Sequence, residues 1–390
     1  VFHVQSTVSE CPWNQDHQLL FLQVSAKKVD LEKTPASNLV FLIDVSGSMD
    51  MPNRLPLLKS AFKLLVNNLR DKDTVSIVVY GSTTGVMLTP TSGKEKEKIT
   101  NVIEELSPGG STPGESGIRT AYRVARSQFI KGGNNRVILA TDGDFNVGQT
   151  TEQELENLIT QHQQSGIYLT CLGVGMGNYK DSKLEVLARK GNGNFAYLDD
   201  AKEAEKVLVK EFTQTLYTVA DDAYLEIKFN PQLVKEYRLI GFDNKLKALA
   251  DSVSELEGGE IGSGHSLMTI FELEPAFAAD NGFHDKLANV SIRYKLPADS
   301  TLRKAEYTCN YSLTEFKELP ACHRFATSVV MFGGLLKTSK YFKNISWNDA
   351  MIIAGQSYNP KDALQKEMID LIEKAKKIYS REKKRKKSEE

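Results

Sequence analysis

Hydrophobic residues in the first half of the chain alternate between two patterns, short unbroken apolar runs and apolar residues at helical spacing. The run at 39–43 predicts a buried strand, and the apolar residues between Leu55 and Leu69 recur every three or four positions, as on one face of a helix. The same alternation continues to about residue 217. Alternating strands and helices predict a Rossmann-like, doubly wound α/β domain over 37–217, with helices on both faces of a mostly parallel sheet.

The pattern changes at about residue 218. Runs such as 267–273 alternate apolar and polar residues with a period of two, which predicts an antiparallel β-sandwich over 218–315. Residues 1–36 alternate in the same way, and we expect them to pair with these later strands. The α/β domain is then inserted into the β-sandwich. Helical spacing returns over 316–390 and predicts C-terminal helices that end in a basic tail.

Composition narrows the class of protein. The chain has 390 residues, of which 41% are hydrophobic and 25% charged, as in soluble proteins of two or three domains. The net charge of -1 argues against a nucleic-acid partner. No apolar run approaches the roughly 20 residues that a membrane-spanning helix needs. The first residue is Val1, so we expect any export signal or lipid anchor to lie upstream of it.

Oxygen-bearing side chains follow two of the predicted strands and occupy one glycine-rich loop. The three segments are Asp44-x-Ser46-x-Ser48, the loop 109–114 and Thr141-Asp142-Gly143. The carboxyl ends of parallel strands meet at one edge of a sheet, so the segments should converge there. Carboxylates and hydroxyls are hard ligands that suit Mg²⁺. Only two carboxylates are present, so we expect an electrophilic ion with an open position that a partner's Asp or Glu completes.

These segments resemble the metal-ion-dependent adhesion site, or MIDAS, of von Willebrand factor type A domains. The resemblance implies a set of five metal ligands, namely Asp44, Ser46, Ser48, Thr112 and Asp142. It implies Mg²⁺ as the ion, with Mn²⁺ or Ca²⁺ as alternatives. It also implies a protein-binding module for adhesion or scaffolding rather than an enzyme, with a protein partner.

Further motifs extend the resemblance over nearly the whole chain. They include the run 137–148, Gly191-Asn192-Gly193-Asn194 and the glycine-rich stretch 259–265. All are similar to the YfbK-type family of bacterial type A domain proteins. That family consists mostly of predicted lipoproteins, which implies a location in the cell envelope.

Other interpretations stay open at the sequence level. The serines near Asp44 could cap a following helix instead of binding metal. A metal-dependent hydrolase would need a general base, for which Glu115 and Asp144 are the nearby candidates. A third hypothesis is an accessory subunit of a separate ATPase. The chain itself lacks a phosphate-binding GxxxxGK[ST] loop, so a partner would have to provide the ATPase. A bridge between Cys309 and Cys322 is also left open.

Overall fold

The structure is a computed structural model of the whole chain. It describes residues 1–390 except 31, 82–83, 111–113, 144–150, 176–180, 212–216, 242–258, 277–285, 298, 300, 343 and 390. Only the backbone is described at 152, 181–182, 210 and 380–389.

The described elements follow the predicted change from an α/β pattern to a β pattern and then to helices. The strands are β1 Phe2–Glu10, β2 Gln18–Ala26, β3 Ser37–Asp44, β4 Thr74–Tyr80, β5 Gly85–Ser92, β6 Asn134–Thr141, β7 Ile167–Val174, β8 Phe195–Leu198, β9 Thr218–Phe229, β10 Val234–Leu239, β11 Gly259–Gly262, β12 Ser266–Pro275, β13 Lys286–Lys295, β14 Arg303–Asn310 and β15 Leu313–Thr314. The helices are α1 Leu55–Asn67, α2 Lys96–Glu105, α3 Gly114–Ser127, α4 Glu152–Gln164, α5 Asp181–Lys190, α6 Ala201–Glu205, α7 Ala321–Leu336, α8 Trp347–Ser357 and α9 Ala363–Glu389.

The α/β domain is built on a six-stranded sheet in the order β5-β4-β3-β6-β7-β8. Every neighbouring pair is parallel except β4 and β5. The chain moves outward from β3 to β4 on one side and later from β6 to β7 on the other. The order therefore reverses between β3 and β6, and this switch point is where open α/β sheets bind ligands.

Helices cover both faces of this sheet, as the doubly wound prediction requires. On one face, Phe41 of β3 stacks on Phe62 of α1 with ring centroids 4.5 Å apart. On the other face, Tyr122 of α3 is fully buried against the residues of β3 and β6. The last helix of this domain is short, because α6 continues as a π-helical turn over 206–210.

Two mainly antiparallel sheets form the second domain. One has the order β10-β12-β2-β1-β15 and the other the order β11-β9-β13-β14. Their inner faces share one hydrophobic core, in which Leu20 and Leu22 lie with Val290 and Ile292. Strand β2 pairs with β12 over eight residue pairs, including Phe21 with Ile270. The prediction that the first strands pair with the later ones, and so flank an inserted α/β domain, is confirmed.

The C-terminal helices pack against the outer face of the five-stranded sheet. Met331 of α7, Ala350 of α8 and Ile372 of α9 share a core with Leu19 and Phe21. Among the described residues, no helix is long and apolar enough to cross a membrane. All four cysteines are free thiols, so Cys309 and Cys322 are not bridged.

Candidate metal centre

The oxygen-bearing side chains lie where the sheet order reverses. Asp44 is the last residue of β3, and Asp142 follows the last residue of the neighbouring strand β6. The parallel register pairs Ile43 with Ala140, so the two strands end side by side. The prediction that the Asp44 and Asp142 segments converge at one sheet edge therefore agrees with the topology.

Asp44 is buried and held by hydrogen bonds from three directions. Its Oδ2 accepts from the Thr141 hydroxyl at 2.8 Å and the Tyr80 hydroxyl at 3.0 Å. Its Oδ1 accepts from the backbone N–H of Ser46 at 2.9 Å. Burial raises the pKa of Asp44, and these hydrogen bonds oppose the rise. Burial also raises the pKa of Tyr80 well above its ordinary value, so its hydroxyl stays a donor.

The two serines project next to each other beyond the strand end. Their Oγ atoms lie 3.1 Å apart, and residues 47–49 form a single 3-10 turn between β3 and α1. The helix-capping interpretation does not describe this segment. The side chain of Ser46 makes no capping hydrogen bond to the short turn, and the N-cap of α1 is Arg54. Both hydroxyls are therefore available as oxygen donors.

The glycine-rich loop is joined to the turn after β3 by two backbone hydrogen bonds. The N–H of Gly47 donates to Gly110 O at 2.9 Å, and the N–H of Gly109 donates to Val45 O at 2.7 Å. Gly110 has a φ of 72°, in the left-handed region that glycine adopts without strain. The loop that carries Thr112 thus begins beside Ser46 and Ser48, but Thr112 itself lies outside the described residues.

Asp142 has a cationic neighbour that the sequence analysis missed. Nη1 of Arg54 lies 2.6 Å from Oδ2 of Asp142 and 2.5 Å from the carbonyl oxygen of Ser48. The two side chains are 17% and 2% exposed. The sequence feature that could have revealed this contact is the arginine immediately before α1. The helix dipole disfavours positive charge there unless an acid compensates for it.

The donor set fits a hard divalent cation. Asp44, Ser46, Ser48 and Asp142 supply only carboxylate and hydroxyl oxygens, which match the preference of Mg²⁺. Both oxygens of Asp44 already accept hydrogen bonds, which fix the orientation of that carboxylate. No group of three or more His, Cys, Asp or Glu side chains in the described part of the chain forms a different metal cluster.

Of the two candidate general bases, the structure describes only Glu115. The carboxylate of Glu115 accepts from Nε of Arg119, one helical turn along α3, at 2.7 Å. Asp144 lies outside the described residues.

The fold and this edge define a von Willebrand factor type A domain, and the family model of that name matches residues 38–211. A second family model, "Uncharacterized protein YfbK, C-terminal", matches residues 214–378. The chain is 38% identical to YfbK of Escherichia coli K12 over 391 aligned positions, which cover 96% of this chain and 68% of YfbK. The chain belongs to the YfbK family of type A domain proteins.

Two further matches are a curated relative and a solved structure, both at lower identity. A protein of Synechocystis, sll0103, is 25% identical over 55% of this chain and 50% of its own length. Among solved structures, a von Willebrand factor type A protein from Catenulispora acidiphila covers 95% of this chain and 88% of its own, with 17% identity and a TM-score of 0.48. Type A domains are typically protein-interaction modules and commonly bind a divalent metal.

Proposed function

We propose that this protein is a metal-ion-dependent protein-binding module of the cell envelope. Mg²⁺ would be held by Asp44, Ser46, Ser48, Thr112 and Asp142, and a carboxylate of a partner protein would complete its coordination. The observation that carries the proposal is the meeting of the Asp44 and Asp142 segments at the switch point of the sheet, with both serine hydroxyls projecting there.

The small number of anionic ligands explains why the partner should be acidic. Hydroxyl ligands bring no charge, so only the two carboxylates offset the charge of Mg²⁺, and a coordination position stays open. If Asp44 acts through water, the ion stays more electrophilic still. An Asp or Glu side chain from a partner supplies both an oxygen and a negative charge, which a neutral surface does not.

The test is metal binding measured directly, followed by metal-dependent binding of an acidic peptide. Calorimetric titration with Mg²⁺ and Mn²⁺ should show one site in the wild type. The double variant Ser46→Ala/Ser48→Ala should weaken it by roughly tenfold or more, because both hydroxyl ligands are removed while Thr141, Tyr80 and the backbone of Ser46 still hold Asp44.

A matched control removes two serines that lie away from the site. Ser60 and Ser127 are exposed on α1 and α3, and each hydroxyl donates to a backbone carbonyl of its own helix. Ser60→Ala/Ser127→Ala should bind metal like the wild type. Equal metal affinity in the two double variants would refute the proposed site.

Peptide binding then tests whether the metal site binds a partner or only the metal ion. We expect a displayed library of Asp- and Glu-containing peptides to yield sequences retained with Mg²⁺ and released by EDTA. The same peptides with Asn or Gln in place of the acids should not be retained. Peptide retention that is unchanged by EDTA and by the replacement of the acids would contradict the proposal.

A further inference from the structure

Arg54 places a positive charge at the metal edge, the edge of the sheet where β3 and β6 end at Asp44 and Asp142. Its Nη1 bridges Oδ2 of Asp142 and the carbonyl oxygen of Ser48, so one guanidinium nitrogen contacts two of the segments that would surround the metal. The pair lies mostly out of water, since Asp142 is 2% exposed and Arg54 17%. A buried acid paired in this way has its charge already compensated by the chain itself.

The surrounding backbone is shaped to admit the Arg54 side chain. Gly175 follows β7, the next strand along the sheet, and has a φ of +87°. A Cβ atom at this position would lie 2.7 Å from Nε and 3.3 Å from Cγ of Arg54. Arg54 Nε is itself buried with no hydrogen-bond partner among the described residues. The guanidinium is thus held chiefly by its contacts with Asp142 and Ser48.

From this geometry we infer that Arg54 is a built-in competitor of the metal. Arg54 stabilises the metal-free form by pairing with Asp142, and a divalent ion takes Asp142 as a ligand only when the guanidinium moves away. Metal binding and release of Arg54 are therefore coupled. The inference rests on the proposed function, because it assigns Asp142 to the metal.

Release of Arg54 also changes the surface that a partner protein contacts. A guanidinium freed from Asp142 would stand at the rim of the site next to the ion. Arginine binds carboxylates through two parallel hydrogen bonds, so it could contact the same acidic group that completes the metal shell. Metal would then both fill the site and expose a second anchor for the acid.

The first experiment compares the Mn²⁺ affinity of Arg54→Met and Arg54→Lys with that of the wild type. Methionine keeps much of the side-chain volume without the charge, so we expect Mn²⁺ to bind roughly tenfold more tightly or better, within the usual range of coupling between two sites. Lysine keeps the charge and should restore an affinity near the wild-type value. The melting temperature of metal-free Arg54→Met should fall, because Asp142 loses its partner.

Arg70 supplies a matched control. It pairs with Asp73 with side-chain exposures of 15% and 0%, and Asp73 also accepts from the N–H of Ser37 at the opposite end of β3. Arg70→Met should lower the melting temperature but leave Mn²⁺ affinity unchanged. A general effect of losing a buried arginine would instead change the metal affinity of both variants.

The second experiment follows Arg54 itself. Modification of arginines by phenylglyoxal, read residue by residue by mass spectrometry, should accelerate at Arg54 when Mg²⁺ is added and stay constant at Arg70. Unchanged reactivity of Arg54 with saturating Mg²⁺ would overturn the coupling.

The outcomes distinguish the inference from the proposed function. If the wild type binds Mn²⁺ and Arg54→Met binds it equally or more weakly, the competitor role is wrong and the metal site stands. If only Arg54→Met binds, the competitor role is supported in its strongest form. If no variant binds Mg²⁺ or Mn²⁺, the proposed metal site fails, and the inference fails with it.

Discussion

At the scale of single residues, the metal edge depends on how firmly Asp44 is held. Its carboxylate accepts hydrogen bonds from Thr141, Tyr80 and the backbone of Ser46. Thr141 and Tyr80 do not belong to the predicted ligand set, and Ser46 donates here through its backbone N–H. Partners of this kind orient metal ligands and tune their basicity, and losing one commonly weakens metal binding by roughly 10- to 100-fold.

We therefore expect Tyr80→Phe to weaken Mg²⁺ binding by about tenfold while the protein still folds. The ring remains, and loss of one buried hydrogen bond costs about 1 kcal/mol of unfolding free energy. Calorimetric titration and urea denaturation would measure the two effects. Tyr122→Phe is the control, since Tyr122 is fully buried and its hydroxyl has no partner in the described part of the chain. An equal loss of affinity in both variants would exclude the orienting role.

The residues of the site differ in how well the sequence alone identifies them. Asp44, Ser46, Ser48 and Asp142 form a recognisable pattern because ligands must follow the strand ends. Arg54 and Tyr80 carry no such pattern. Each contacts the site only because a turn or a neighbouring strand brings it there, and that placement is a property of the folded chain.

At the scale of elements, the close contact between helix α3 and the strands β3 and β4 depends on one glycine. The helix begins at Gly114, the last residue of the glycine-rich loop, and its Gly117 lies against β3 and β4. A Cβ at Gly117 would lie 2.9 Å from Cδ1 of Tyr80 and 3.1 Å from Cδ1 of Leu42. The absence of a side chain therefore allows α3 to contact the strands that carry Asp44 and Tyr80.

Gly117→Ala should lower the unfolding free energy by about 1–3 kcal/mol, because overpacking forces the helix or the strands to shift. Urea denaturation would measure it, and metal affinity should fall as well, since Tyr80 moves. Gly333→Ala in α7 is the control. Nothing lies within 4 Å of a Cβ at Gly333, so alanine should stabilise that helix by about 0.5–1 kcal/mol. Gly117→Ala as stable as the wild type would contradict the close packing.

Element types followed from hydrophobic periodicity because the period itself reflects which face is buried. Hydrophobic periodicity did not indicate the π-helical turn after α6 or the antiparallel pairing of β5 with β4.

At the scale of the whole molecule, a buried ion pair joins the α/β domain to the β-sandwich. Nη2 of Arg136, on β6, lies 2.8 Å from Oε1 of Glu260, on β11, and the two side chains are 0% and 3% exposed. Nη1 of Arg136 also donates to the Thr170 hydroxyl at 2.7 Å. Burial raises the pKa of Glu260 to about 7, although Arg136 opposes the rise.

This raised pKa has a definite consequence for stability. The folded state holds a proton on Glu260 at pH values where the unfolded chain, with an ordinary glutamate pKa of 4.5, has lost it. The contribution of Glu260 is therefore complete below about pH 4.5 and is lost as the pH rises toward about 7. Its slope is at most about 1.4 kcal/mol per pH unit.

We expect Glu260→Gln to flatten the fall in unfolding free energy between pH 5 and about 7, measured by urea denaturation. Glutamine keeps an acceptor for Arg136 but does not titrate. Glu105→Gln, on the exposed end of α2, should keep the wild-type slope. An unchanged slope in Glu260→Gln would mean that Glu260 stays ionised in the folded protein over this range.

The sequence by itself determined the class of each segment, the insertion of the α/β domain and the strand ends that carry the oxygen-bearing side chains. These features follow from local periodicity and from the rule that parallel strands end at a common edge. Only the tertiary structure decided that Arg54 pairs with Asp142, that Tyr80 and Thr141 hold Asp44, and that Arg136 meets Glu260 across the domains. Charges and hydrogen bonds act over a few ångströms in space, so pairs separated by 36 to 124 positions are set by packing and not by spacing along the chain.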